Sequence, residues 1–174
     1  MRFRYFGVNH YLDDWEREAI MAYDKTEVPV VRSQEGIRKL IMGRKGSKIA
    51  FISDPPREGF QAIVQIDGLP YQVRIFGELR AAPETKNRTY RGSSGLTDNQ
   101  REAFKLSEER RIWRVLFYHL KSVFEAADSG VMEFRELMLP YIVTRTGQTI
   151  AEQIVPRLSE AIESNPARLL GVGQ

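Results

Sequence analysis

Apolar and polar positions change period several times along this chain, and each change marks an element. Arg2 to Phe6 alternates and predicts a short strand. Leu12, Trp15, Ala19, Ile20 and Tyr23 recur at helical spacing behind Asp13 and Asp14, either of which can cap a helix. Val28 to Val31 reads as extended, with Pro29 placing it at an edge or in a connector. Ser33 suits the cap of a second helix, whose stripe is Ile37, Leu40 and Ile41 and whose stop is Gly43 with Gly46. Three β-rich runs follow: Lys48 to Ser53, Phe60 to Ile66 and Tyr71 to Phe76. The first two are separated by Asp54 to Gly59, and the last two join across Asp67-Gly68, a strong hairpin signal.

Periodicity is lost between Glu78 and Thr97, a stretch rich in Gly, Ser, Pro, Asn and Thr. It returns in a long helix capped by Thr97-Asp98-Asn99 and running to about Ala127, with Phe104, Ile112, Val115, Leu116, His119, Leu120 and Val123 on its apolar face. Asp128-Ser129-Gly130 ends that helix. Phe134 to Tyr141 predicts a short helix stopped near Pro140, and Thr146-Gly147 turns the chain. Thr149 and Glu152 spell a capping box for a last helix, expected to bend or break near Pro156. An apolar tail follows Asn165, and no internal repeat is visible. The expected fold is α+β: an antiparallel β-meander with helices packed on one face and a helical C-terminal half. The expected organisation is one domain over 1–174, with an α/β part to residue 77, a basic flexible loop over 78–97 and a helical part from 98.

Composition narrows the chemistry. The 174 residues are 42% hydrophobic and 28% charged, ordinary globular usage for a chain long enough to build its own core. The absence of cysteine removes disulfides, thiolate metal sites and cysteine nucleophiles. No apolar run approaches a membrane span, and the N-terminal stretch is charged where a signal peptide needs an apolar core, so a cytoplasmic location is expected.

Each catalytic pattern meets a simpler explanation. Gly43 to Lys48 has glycine and lysine, but the wrong order and a helix-to-strand context for a phosphate loop. Asp54, Glu58 and Asp67 lie near strand ends, yet Asp54 and Asp67 belong to turns and no lysine completes a metal-nuclease unit. His119 sits on an apolar helix face, which suits a satisfied interior histidine, and His10 belongs to a cap region with Asp13 and Asp14. No catalytic residue, metal or cofactor is expected.

Charge is more informative. The net charge is +3, and the stretch from Arg80 to Arg91 alone carries +3, from Arg80, Lys86, Arg88 and Arg91 against Glu84. Tyr90 lies inside that cluster, and Gly92 to Gly95 give the backbone freedom. Cations for phosphates and an aromatic ring for a base are what single-strand binding uses; the bland alternative is a solvated loop. On the long helix Arg110, Arg114, Phe117 and Lys121 step by four, three and four and share a face, with Glu125 placed to pair with Lys121.

The C-terminal half carries Arg111-x-Trp113-Arg114, Lys121, Glu125, Ser129-Gly130, Phe134, Leu139-Pro140-Tyr141, Gly147-x-Thr149-x-x-Glu152 and Pro156-x-Leu158. In this it resembles small uncharacterised proteins encoded by phages and prophage-like elements, and the layout of Ser33 to Phe76 is similar too. The resemblance implies genomic company and no particular chemistry. The expectation is a non-enzymatic accessory protein with DNA or RNA as its partner. The alternative is a protein-interaction module, such as an inhibitor or assembly factor, whose basic loop orders on an acidic partner.

Overall fold

The structure is a computed structural model and describes Tyr23, residues 26–82 and residues 96–164. The expected strand at Arg2 to Phe6, the helix from Leu12 up to its last residue, and the tail after Asn165 lie outside these residues. Among the described residues the chain runs α1 (Val30–Gly43), β1 (Ser47–Asp54), β2 (Arg57–Ile66), β3 (Leu69–Glu78), α2 (Asp98–Asp128), α3 (Phe134–Met138), a 3-10 turn (Leu139–Tyr141) and α4 (Ile150–Ser164). The three strands form an antiparallel sheet in the order β1-β2-β3. This is the expected α+β meander with a helical C-terminal half.

The inner face of the sheet follows from strand alternation. Phe51 pairs with Phe60, Phe60 with Ile75 and Ala62 with Val73, so these side chains share one face. They meet Ile37 and Ile41 of α1 and Ile112, Trp113, Leu116, Leu120, Val123 and Phe124 of α2 in one apolar cluster. Burial of this kind contributes about 1.5–3 kcal/mol per large side chain. At Gly36 a Cβ would lie 2.6 Å from the Phe117 ring, so glycine lets α1 cross α2 closely. The β2–β3 turn has positive φ at both Asp67 (51°) and Gly68 (78°), the backbone that an Asp-Gly hairpin supplies.

Four expectations about elements are corrected. The extended reading of Val28 to Val31 fails from Val30, where α1 begins after Pro29 at φ −58°. Proline there loses no helical hydrogen bond, because the first turn has none to make. Ser33 is therefore no cap: it lies one turn inside α1 and completes a buried stripe with Ile37 and Ile41. The six-residue connection Asp54 to Gly59 shrinks to a two-residue turn, Pro55-Pro56, with Asp54 already paired to Arg57. Glu58 is drawn into the strand because its carboxylate accepts hydrogen bonds from Ser53 Oγ (2.6 Å) and Trp113 Nε1 (3.2 Å). Last, α4 runs as one helix through Pro156 rather than breaking there. The proline removes one donor but not the rest of the ladder.

Helix ends are well supplied with partners. Thr97 and Gln100 form a capping box at the start of α2, and Thr149 with Glu152 forms the predicted one at α4. At the far end of α2, Arg44 donates to the Phe124 carbonyl, pairs with Asp128 and stacks its guanidinium 4.7 Å from the Phe124 ring centre. A cation at this end also complements the helix dipole. After the 3-10 turn, Ile142 bridges Val73, so the chain returns along the free edge of β3.

Candidate nucleic-acid interface

Arg80 follows directly on β3, and the structure gives its guanidinium a specific partner. Glu108 of α2 is 2% exposed. It accepts from Arg80 Nε (3.0 Å) and Nη2 (2.5 Å), from the Arg80 backbone N–H (3.1 Å), and from Arg111 Nε (2.9 Å) and Nη2 (2.8 Å). Burial pushes the Glu108 carboxyl up, but the hydrogen bonds from Arg80 and Arg111 and the Arg111 charge outweigh it and hold the pKa at about 2. This network fixes the first residues after β3 against the third and fourth turns of α2.

Beside the network lies a cleft of about 440 Å³. One wall is Pro55, Pro56 and Leu79; the other is Phe104, with Arg101 and Lys105 on the same helix face. Residues 101, 104, 105 and 108 are three and four apart, which is why one face of α2 carries them all. Arg101 and Lys105 are exposed and Phe104 is half-buried. Phe104 stands outside the apolar core cluster, although its helix supplies much of that core.

The remaining cations of the expected binding loop, Lys86, Arg88 and Arg91, and the aromatic Tyr90, lie outside the described residues. The described chain flanking them ends at this cleft on both sides. Ala82 lines it, and Leu96 gives its carbonyl to Arg101 Nε at 3.3 Å.

The second expected feature divides. Arg114 stacks over Tyr118 (4.6 Å) and Phe117 (5.4 Å) and donates to the Tyr118 hydroxyl at 2.8 Å. Tyr23 packs on Tyr118 with ring centres 5.6 Å apart. Arg114 and Phe117 thus line an open groove with Arg32 and Lys39 of α1. Lys121 pairs with Glu125 at 3.4 Å, and Arg110 is exposed.

The rejected catalytic patterns receive structural partners. Asp67 pairs with Arg135 across the hairpin turn (3.2 Å). His119 Nε2 lies 2.7 Å from the Tyr141 hydroxyl, so the ring has a partner, but it is half-buried at the edge of a groove rather than interior, and this partial burial lowers its pKa. Among the described residues, no group of three or more histidines and carboxylates is placed to hold a metal ion, and no helix is long and apolar enough to cross a membrane.

Sequence reasoning passed over Arg101, Lys105 and Glu108. The three-and-four spacing of Arg101, Phe104, Lys105 and Glu108 is the available signal, and it is masked because Phe104 also fits the apolar stripe of the helix. Compared with family models, curated proteins and solved structures, the chain matches none of them.

Proposed function

We propose that this protein is a non-enzymatic binder of nucleic acid that holds the phosphate backbone without sequence preference. The observation that supports the reading is where the flanking chain lies: Ala82 lines a cleft that bears Arg101 and Lys105, Leu96 accepts a hydrogen bond from Arg101, and Lys86, Arg88, Tyr90 and Arg91 fall between them in the sequence. Arg80 sets the geometry through Glu108, so its role is to anchor the segment as well as to contribute charge. Arg114, with Arg110 and Lys121, forms a supporting stripe further along α2. Cations grouped on one surface bind phosphate through counterion release, and aromatic rings among them stack on bases.

The test is fluorescence polarisation of labelled oligonucleotides at ~50 and ~200 mM salt, the range over which phosphate-driven binding collapses. Affinity that falls by orders of magnitude supports the reading. Charge reversal in R88E/R91E abolishes low-salt binding, and unchanged affinity in that variant overturns the assignment of the loop.

A second reading has its own observation. Helix α4 exposes Ile154 (52%) and Leu158 (46%) on its surface, apolar side chains of the sort that dock partner proteins. On that reading the protein is an interaction module, and its complexes persist at salt concentrations that strip nucleic acid away.

A further inference from the structure

The cleft beside Glu108 has a division of labour that bulk phosphate binding does not require. Its walls are apolar and come from two elements: the rings of Pro55 and Pro56 with Leu79 on the sheet side, and Phe104 on the helix side. Its cations sit one turn apart along the same helix face, Arg101 three residues before Phe104 and Lys105 directly after it. A surface that only tracks a backbone needs charge, and a half-buried phenyl ring outside the core adds nothing to that. The volume, about 440 Å³, lies within the range of about 300–1,000 Å³ found for small-ligand sites. Glu108, the one carboxylate among the described lining residues, is already met by Arg80 and Arg111 and so does not set an uncompensated negative charge against a phosphate.

We propose that this cleft seats a single unpaired nucleotide, its base against Phe104 and the Pro55-Pro56 rings and its phosphate on Arg101 and Lys105. The proposal rests on the nucleic-acid reading and sharpens it: a base inside a duplex is stacked and paired and cannot enter a cleft, whereas a single strand presents its bases freely. The protein therefore prefers single strands to duplexes of equal charge. Among the described residues neither wall of the cleft carries a hydroxyl or amide side chain to read a base edge, so these walls favour no particular base.

The experiment uses the full chain, a labelled oligothymidylate, an oligouridylate of the same length and a hairpin duplex, each titrated across a salt series. The wild type is expected to bind both single strands more tightly than the duplex. F104A is expected to lose about 5- to 150-fold in single-strand affinity, the effect of removing one stacking ring. Its salt slope stays unchanged and its duplex binding stays as it was. F104Y, which keeps a ring, retains the affinity, and the unchanged duplex binding of F104A shows that its loss is not a folding defect. R101A/K105A lowers the single-strand salt slope by about 0.7, the one phosphate that the two cations share. Single-strand affinity of F104A equal to that of the wild type, with R88E/R91E still abolishing binding, overturns the nucleotide seat and leaves the nucleic-acid reading standing. Failure of the wild type to bind any of the three probes at ~50 mM salt overturns both.

Discussion

Glu108 is a carboxylate with almost no exposed surface and two guanidinium groups upon it, and its protonation is coupled to folding. Its pKa is about 2 in the folded chain against an ordinary 4.5, so the folded state holds the charged form more firmly than the unfolded one. The sign follows: the stabilisation is fully present above about pH 4.5 and is lost as pH falls toward 2. His119 acts in a higher window. Burial depresses its pKa below 6.5, so its contribution is complete above that value and declines as acidification charges the ring. E108Q keeps the shape but leaves Arg80 and Arg111 facing a neutral amide. At neutral pH it is expected to unfold in urea with a loss of about 1.5–3 kcal/mol, the value of hydrogen bonds to a charged group. Between pH 5 and 3 its stability falls less than that of the wild type. Equal slopes for the two proteins would show that Glu108 does not carry the acid sensitivity. None of this was legible in the sequence, because a charged residue between polar neighbours reads as an outer-face position. The partner that draws Glu108 inside, Arg80, is 28 residues away across the loop.

At the scale of elements, legibility tracks how local the cause is. The β2–β3 hairpin was readable because Asp67-Gly68 adopts its turn from its own backbone preferences, and the start of α2 was readable because Thr97 and Gln100 close a local capping box. The start of β2 was not, since Glu58 enters the strand to meet Trp113, 55 residues later. The start of α1 was not, since the buried stripe through Ser33, Ile37 and Ile41 overrides both the β-preference of Val30 and Val31 and the capping preference of Ser33. The local turn carries its own test. Gly68 has φ of +78° and open space around a built Cβ, so any cost of substitution there is conformational rather than steric. G68A is expected to lose about 1–2 kcal/mol, the penalty of a left-handed L-residue, while G68N loses less because asparagine tolerates that region. Thermal unfolding of the two variants side by side checks it. An equal loss in both would mean that contacts of the turn, not its backbone angle, set the cost.

For the molecule as a whole, charge and apolar surface are placed apart, and that separation lets the two functional readings be tested in one protein. The cleft cations Arg101 and Lys105 belong to the first half of α2, while Ile154 and Leu158 are on α4, whose Glu152 pairs with Arg74 in the middle of β3. The chain's charge excess was visible in the sequence as the +3 between Arg80 and Arg91, but the cleft beside Arg80 was not, because it needs the Pro55-Pro56 turn brought against a helix 45 residues later. Substitution of exposed apolar groups costs little, usually within ~0.5 kcal/mol. I154S/L158S is therefore expected to fold with near wild-type stability and to bind oligonucleotides with unchanged affinity and salt slope. R88A/R91A is expected to lower the single-strand slope by about 1.4 at equal stability, as two phosphate contacts are lost. Chemical unfolding and salt-dependent polarisation on the same samples read both effects. If the α4 variant instead weakens oligonucleotide binding while R88A/R91A does not, the apolar helix is the contact surface and the interaction-module reading displaces the electrostatic one. If it loses more than ~1 kcal/mol of stability, the exposed stripe of α4 is part of the fold's own packing and serves neither.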